Sequence, residues 1–313
     1  MQLQAGARAN AARSLLLVAE LLKLLELLAA ESILAIPYKG PVIAAQAYGD
    51  LALRQYADID ILIRQRDVAR AHVIMAALGF RSRTLGNVSP EECAIPGEYS
   101  YQDDERALIV EFHTEKTLRH FPRPPDLDRL DPQLVPVPLS GREARTFAPE
   151  EGLTFLCVHG AKDSWARLVW VADVAELIRS HQNLDWDRAL RFAESLRADR
   201  MLRIGLTLAS RLLDAPLPES ARAQIDRDAV ADTFAKTFAQ HQLTGTNQNE
   251  RVSARFHFRR KMVKGFFDGW RYALRLALVP AQDDFQAARL PAHLAPLQGL
   301  LRPFRLLKKY SGS

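Results

Sequence analysis

Apolar residues follow two different periods along this chain, and the change of period divides it. Residues 15–30 are strongly apolar, with Glu20, Lys23 and Glu26 interrupting them at helical intervals. That stretch is too short and too charged to span a bilayer, and no small-residue cleavage site follows it. It predicts an amphipathic helix over about 12–31, packed under the first strand. Shorter runs then predict a strand over 33–38, a helix over 41–48, a strand over 58–63 and a helix over 67–78 ending at Gly79. Further strands are expected near 80–85, 99–102 and 107–113. Residues 122–138 carry six prolines and predict an extended connection with no element of its own. From Pro149 onward the helical period dominates and strand signals vanish. The expected boundary lies near 146, giving an α+β unit over 1–146 and an all-helical unit over 147–313, the latter closing over the cleft of the former. A polar loop at 241–250 is expected to divide the helical part.

Within the first part, Asp58-Ile59-Asp60 heads the apolar run Ile59 to Ile63. In an extended strand, residues two apart share a face, so both carboxylates project together while Ile59 and Ile61 point the other way. Like charges this close repel unless a cation lies between them. Neutralising either acid is therefore expected to leave stability unchanged or raised. Oxygen-rich sites suit Mg²⁺ or Mn²⁺. Glu111, within Leu108 to His113, is a third acid in a similar setting, and three acids on two strands can hold two divalent ions for in-line displacement at phosphorus. Acids flank many strands that bind no metal, so the order of elements carries more weight than the pair. Upstream, Ile33 to Tyr38 runs as a short strand into Lys39-Gly40, and Pro41 suits a helix's first turn. Gly40 lets backbone approach a ligand, and the helix N-terminus offers N–H groups to phosphate.

Composition narrows the classes. A chain of 313 residues, 48% hydrophobic, can bury one large core or two smaller ones. Net charge +5 and a pI near 9.3 favour anionic substrates without requiring a nucleic acid. Cys93 and Cys157 have neither metal-ligand nor paired spacing, which points to a reduced, cytoplasmic setting. In the helical part, His159, Asp163, Ala166, Trp170, Asp173 and Leu177 fall at steps of three or four and predict one stripe. It reads either as a cleft-facing surface, with Lys162 or Arg167 near phosphates, or as core with buried polar contacts. Residues 251–275 hold eight Lys/Arg against one acid, Asp268. Val263, Phe266, Phe267, Trp270, Leu274 and Ala277 predict its buried apolar stripe. A surface helix with one buried face is favoured over one lying on a membrane or gripping RNA.

Tyr38-Lys39-Gly40, Tyr48-Gly49-Asp50, Arg54 and Asp58 to Ile63 together resemble the uncharacterised bacterial nucleotidyltransferase family of the polymerase-beta-like superfamily. Glu111 matches its later acid, with His113 two residues on. Phe155 to Lys162, Trp165, Arg167, Trp170 and Asp173 fit a second block, and 280–309 looks like its C-terminal end. Two departures stand out: the superfamily's glycine-serine pair reads Lys39-Gly40, and Asp163 stands where relatives often carry histidine. The resemblance implies a metal-dependent enzyme moving a nucleoside monophosphate from an NTP, ATP first among them, to an acceptor hydroxyl with release of pyrophosphate. Asp58, Asp60 and Glu111 would hold Mg²⁺ or Mn²⁺ and do the catalysis. Lys39, Gly40, Arg54 and Lys162 would bind the nucleotide, and His113 and His159 would serve the acceptor. The acceptor is expected to be a small molecule, peptide or protein rather than nucleic acid. The competing reading is a nucleotide-binding regulator, or an RNA- or membrane-associated protein, that kept the fold without turnover.

Overall fold

The computed structural model describes residues 2–84, 98–115, 120–225, 227–244, 252–278 and 300–305. The chain divides into two compact units, residues 1–118 with 125–148, and residues 119–124 with 149–313.

The first unit opens with α1 (Gln2–Ala30), which begins ten residues before the expected start. Its first turns lack an apolar stripe and are helical through alanines, Ala5, Ala7, Ala9, Ala11 and Ala12, the residue with the highest intrinsic helix propensity. There follow β1 (Ala35–Pro37), α2 (Pro41–Tyr48), β2 (Ile59–Ile63), α3 (Val68–Ala77), β3 (Arg81–Ser82), β4 (Glu98–Asp103), β5 (Leu108–His113), the short α4 (Leu127–Leu130), β6 (Val135–Leu139) and β7 (Arg142–Thr146). Five strands form one sheet in the order β1-β2-β5-β4-β3, mixed because β2 and β5 run parallel while the other pairs are antiparallel. Strand alternation sorts its faces. Ile59, Ile61 and Ile63 join Val110, Phe112, Tyr99 and Tyr101 in a core with Leu17, Leu21, Leu24 and Leu28 of α1. Asp60 and Glu111, paired across β2 and β5, therefore lie on the opposite face.

The proline-rich segment departs from expectation. Residues 127–133 are helical and 135–139 form a strand, so it is not a bare connection. Among the described residues strand β6 pairs only with β7, and Pro136 and Pro138 occupy its exposed positions, while Val137 and Leu139 are buried. A proline is tolerated on a strand with a free edge, where its missing N–H breaks no ladder bond. The two-residue turn Ser140-Gly141, both at positive φ (48° and 81°), closes the hairpin and is the sequence signal for it.

The second unit is helical: α5 (Pro149–Lys162), α6 (Leu168–Ser180), α7 (Trp186–Ser195), α8 (Asp199–Leu213), α9 (Glu219–Ile225), α10 (Ala229–Thr244), α11 (Val252–Lys261) and α12 (Phe266–Leu278). Three sequence expectations need correction here. The stripe from His159 to Leu177 is not continuous, because α5 ends at Lys162 and Ser164 and Trp165 take left-handed φ before α6 begins. That turn tucks Trp165, 1% exposed, against Gly160 and Gly205. The expected 241–250 loop is helical to Thr244, and 245–250 lie outside the described residues. The basic stretch is two helices, broken at Gly265 with φ 87°. The break resets the helical phase, so α12 buries Tyr272, Ala273 and Leu276 and leaves Phe266, Phe267, Trp270 and Leu274 exposed. Among the described residues no helix is long and apolar enough to cross a membrane.

The packing around Trp165 makes a strong prediction. A Cβ on Gly205 would lie 2.3 Å from Cys157 Sγ and 2.8 Å from the Trp165 ring. Gly205→Ala is expected to destabilise by about 3 kcal/mol, at the upper end of overpacking costs. Chemical denaturation reads this, and an unchanged midpoint would show that the indole moves aside freely.

Candidate active site

Three polar side chains meet on the sheet face opposite α1: Asp60 on β2, and Glu111 and His113 on β5. One ligand-capable atom from each lies within 4.8 Å of the others. The register explains the meeting. Parallel pairing sets Asp60 beside Glu111 and Leu62 beside His113, so residues of like parity share the face. His113 Nε2 donates to Asp60 Oδ1 at 2.8 Å and lies 3.6 Å from Glu111 Oε2. Lys39, just after β1, reaches in from the neighbouring strand's end, and its Nζ donates to the same Asp60 Oδ1 at 2.8 Å. Asp60 is only 5% exposed. The Tyr38 ring meets the His113 ring edge-on at 5.7 Å and lies 4.9 Å from Lys39 Nζ, fixing both.

These contacts set the charges. Burial disfavours the ammonium of Lys39, but the Asp60 carboxylate overrides it and the pKa rises. Burial would likewise protonate Asp60, yet the Lys39 charge and the His113 hydrogen bond hold it well below the ordinary carboxylate range. His113 is shifted upward: burial opposes its charged form, and hydrogen bonds to Asp60 and Glu111 outweigh that. Asp58 behaves differently. Burial, then repulsion from Asp60 and Glu111, pushes its carboxyl up to about 6, with Lys39 only partly offsetting. The two acids therefore differ in how their charge is balanced. Asp60 is an internally paired anion, whereas the charge of Asp58 is only partly compensated.

The other expected site residues are placed as follows. Gly40 sits at φ 50° before α2, where a Cβ would come within 3.2 Å of the Asp58 carbonyl oxygen. Glycine is needed there both for its conformation and to let the turn lie against the carboxylate strand. Pro41 has no N–H, and that of Val42 bonds the Lys39 carbonyl, so the first turn of α2 offers fewer free donors than its position suggests. Arg54 lies in the half-buried turn before β2 and acts electrostatically on Tyr56. His159 and Lys162 belong to the helical unit, on the last turns of α5, where the His159 ring meets Trp170 edge-on at 5.2 Å.

One supporting group escaped the sequence reading. Gln65 Nε2 donates to Tyr99 Oη at 2.8 Å, its Oε1 accepts from Thr114 Oγ1 at 2.8 Å, and its backbone N–H bonds Glu115 Oε2 at 3.0 Å. This clamp ties the ends of β2, β4 and β5 directly beside His113. Nothing in local pattern signals it, because its members are brought together only by strand pairing.

Two carboxylates and an imidazole fit a divalent cation, with the imidazole tilting the set from Mg²⁺ toward Mn²⁺ or another first-row ion. A family model described as uncharacterised nucleotidyltransferase matches residues 1–214. No curated protein matches the chain. Among solved structures, the crystal structure of an antigenic nucleotidyltransferase-like protein from Paracoccidioides brasiliensis aligns at 13% identity over 61% of this chain and 93% of its own, with a TM-score of 0.39.

Proposed function

The chain belongs to the uncharacterised nucleotidyltransferase family, and on that premise we propose that it transfers a nucleoside monophosphate from an NTP to an acceptor hydroxyl in a divalent-metal-dependent reaction. The observation that carries this reading is the cluster of Asp60, Glu111 and His113 beside Lys39, on the sheet face opposite the core. The acceptor oxygen attacks the α-phosphorus, the bond to the β-phosphate oxygen breaks, and pyrophosphate leaves. In this reading Glu111 takes the acceptor's proton. Lys39 and Arg54 supply positive charge toward the phosphates. A divalent ion held by Asp58, Asp60 and Glu111, with His113 beside them, would polarise the phosphates and lower the acceptor hydroxyl's pKa. His159 and Lys162 keep a proposed role toward the acceptor and its approach, and replacing either should slow transfer while leaving NTP affinity near wild type.

Calorimetry with each NTP, with and without Mg²⁺ or Mn²⁺, tests this before the acceptor is known. Binding should require the ion and weaken sharply in Glu111→Gln. Equal affinity in EDTA would instead favour the second reading, a nucleotide-binding regulator. The specific observation on its side is that the Lys39 ammonium pairs with Asp60 at 2.8 Å and offsets its charge. Arg54→Ala should weaken NTP binding by about 1.5–3 kcal/mol, the worth of one charge-assisted contact, while nucleoside binding is unaffected. An equal loss for both ligands would show that Arg54 supports only the fold.

A further inference from the structure

Two donors converge on a single oxygen of Asp60. Lys39 Nζ and His113 Nε2 each lie 2.8 Å from Oδ1, leaving Oδ2 as the carboxylate's other ligating atom. A carboxylate that bridges two metal ions gives one oxygen to each. Asp60 cannot do so while Lys39 and His113 hold Oδ1.

The lysine is built into this position. It follows β1 directly, and its ammonium lies 4.9 Å from the Tyr38 ring, which is itself held edge-on by His113 at 5.7 Å and Phe147 at 6.2 Å. Gly40, next in sequence, is locked at positive φ against the Asp58 carbonyl. An ammonium held this way is a fixed unit charge at the carboxylate, requiring no ion from solution.

Resting on the nucleotidyl-transfer reading, we propose that Lys39 stands in place of one of two divalent ions, so that the site takes a single metal ion. Glu111, Oδ2 of Asp60 and, from the bend before β2, Asp58 would hold that ion. It serves the reacting phosphate, and the ammonium of Lys39 does the electrostatic work of the missing ion.

The test counts Mn²⁺ bound to the full chain by electron paramagnetic resonance of the free ion, with saturating α,β-methylene ATP. The wild type is expected to bind one Mn²⁺ per chain, Lys39→Arg one, and Lys39→Met two. A count of two in the wild type would overturn the proposal and leave nucleotidyl transfer standing, because Lys39 would then swing aside for a second ion. A count of one in both wild type and Lys39→Met overturns it as well. A count of zero would bring down the nucleotidyl-transfer reading together with it. Should Lys39→Met fail to fold in metal-free buffer, folding restored by Mn²⁺ with two ions bound supports the proposal. Failure to fold with Mn²⁺ leaves the decision to the wild-type and Lys39→Arg counts, where two in either overturns it.

Discussion

Asp60→Asn is expected to abolish metal-dependent nucleotide binding and, in the same protein, to lower stability in metal-free buffer. The second effect follows from the pairing. Removing the carboxylate strands the Lys39 ammonium, 16% exposed, beside an amide. Breaking one side of a buried ion pair costs on the order of 3–5 kcal/mol, because the remaining charge is left uncompensated. For a unit of this size that corresponds to a fall in melting temperature on the order of 10 °C. Thermal unfolding in EDTA at pH 7.5 and calorimetry with ATP and Mn²⁺ measure the two effects. Wild-type stability in Asp60→Asn would mean that Lys39 finds another partner and the pair is incidental.

Asp58→Asn should behave oppositely in the metal-free protein and identically toward metal. The folded state holds the Asp58 carboxyl at about 6 against an ordinary value of 3.8. A carboxyl whose pKa is raised on folding penalises the fold once it ionises. The penalty is absent below about pH 3.8, grows as pH rises, and is complete above about pH 6. The wild type should therefore lose stability through this group across that window, and Asp58→Asn should not, emerging more stable by several degrees at pH 7.5. Metal binding runs the other way. An ion must displace the proton, so the part of the Mn²⁺ affinity that Asp58 contributes should rise with pH up to about 6. The same titration in Asp58→Asn should be weak and lack that part. If affinity in the wild type were flat between pH 5 and 7, Asp58 would not be a ligand.

The contrast between these two acids shows where reading the chain stops. Spacing placed Ile59 and Ile61 on the core side of a strand and Asp60 on the other, and the structure keeps that arrangement because a strand's side-chain period is 2 whatever surrounds it, whereas Asp58, expected on the same strand face, lies in a bend just before β2. The helix at 41–48, the glycine turn before it and the helical second part were likewise legible, since each depends on residues adjacent in sequence. The hairpin at 135–146 was missed because six prolines outweighed the Ser140-Gly141 turn. Similarly, Gly265 was not recognised as the break that turns Phe266, Phe267 and Trp270 outward.

What the sequence determined alone is the inventory of elements and the parity of their side chains: which residues can share a face. What tertiary structure decided is which charges are balanced. The parallel pairing of β2 with β5 brings Glu111 and His113 beside Asp60 from fifty residues away, and the adjacent β1 delivers Lys39 to the same oxygen. Electrostatic energy depends on distance and burial, and neither is a function of sequence separation. Two aspartates identical in local pattern therefore become an anchored anion and an only partly compensated one.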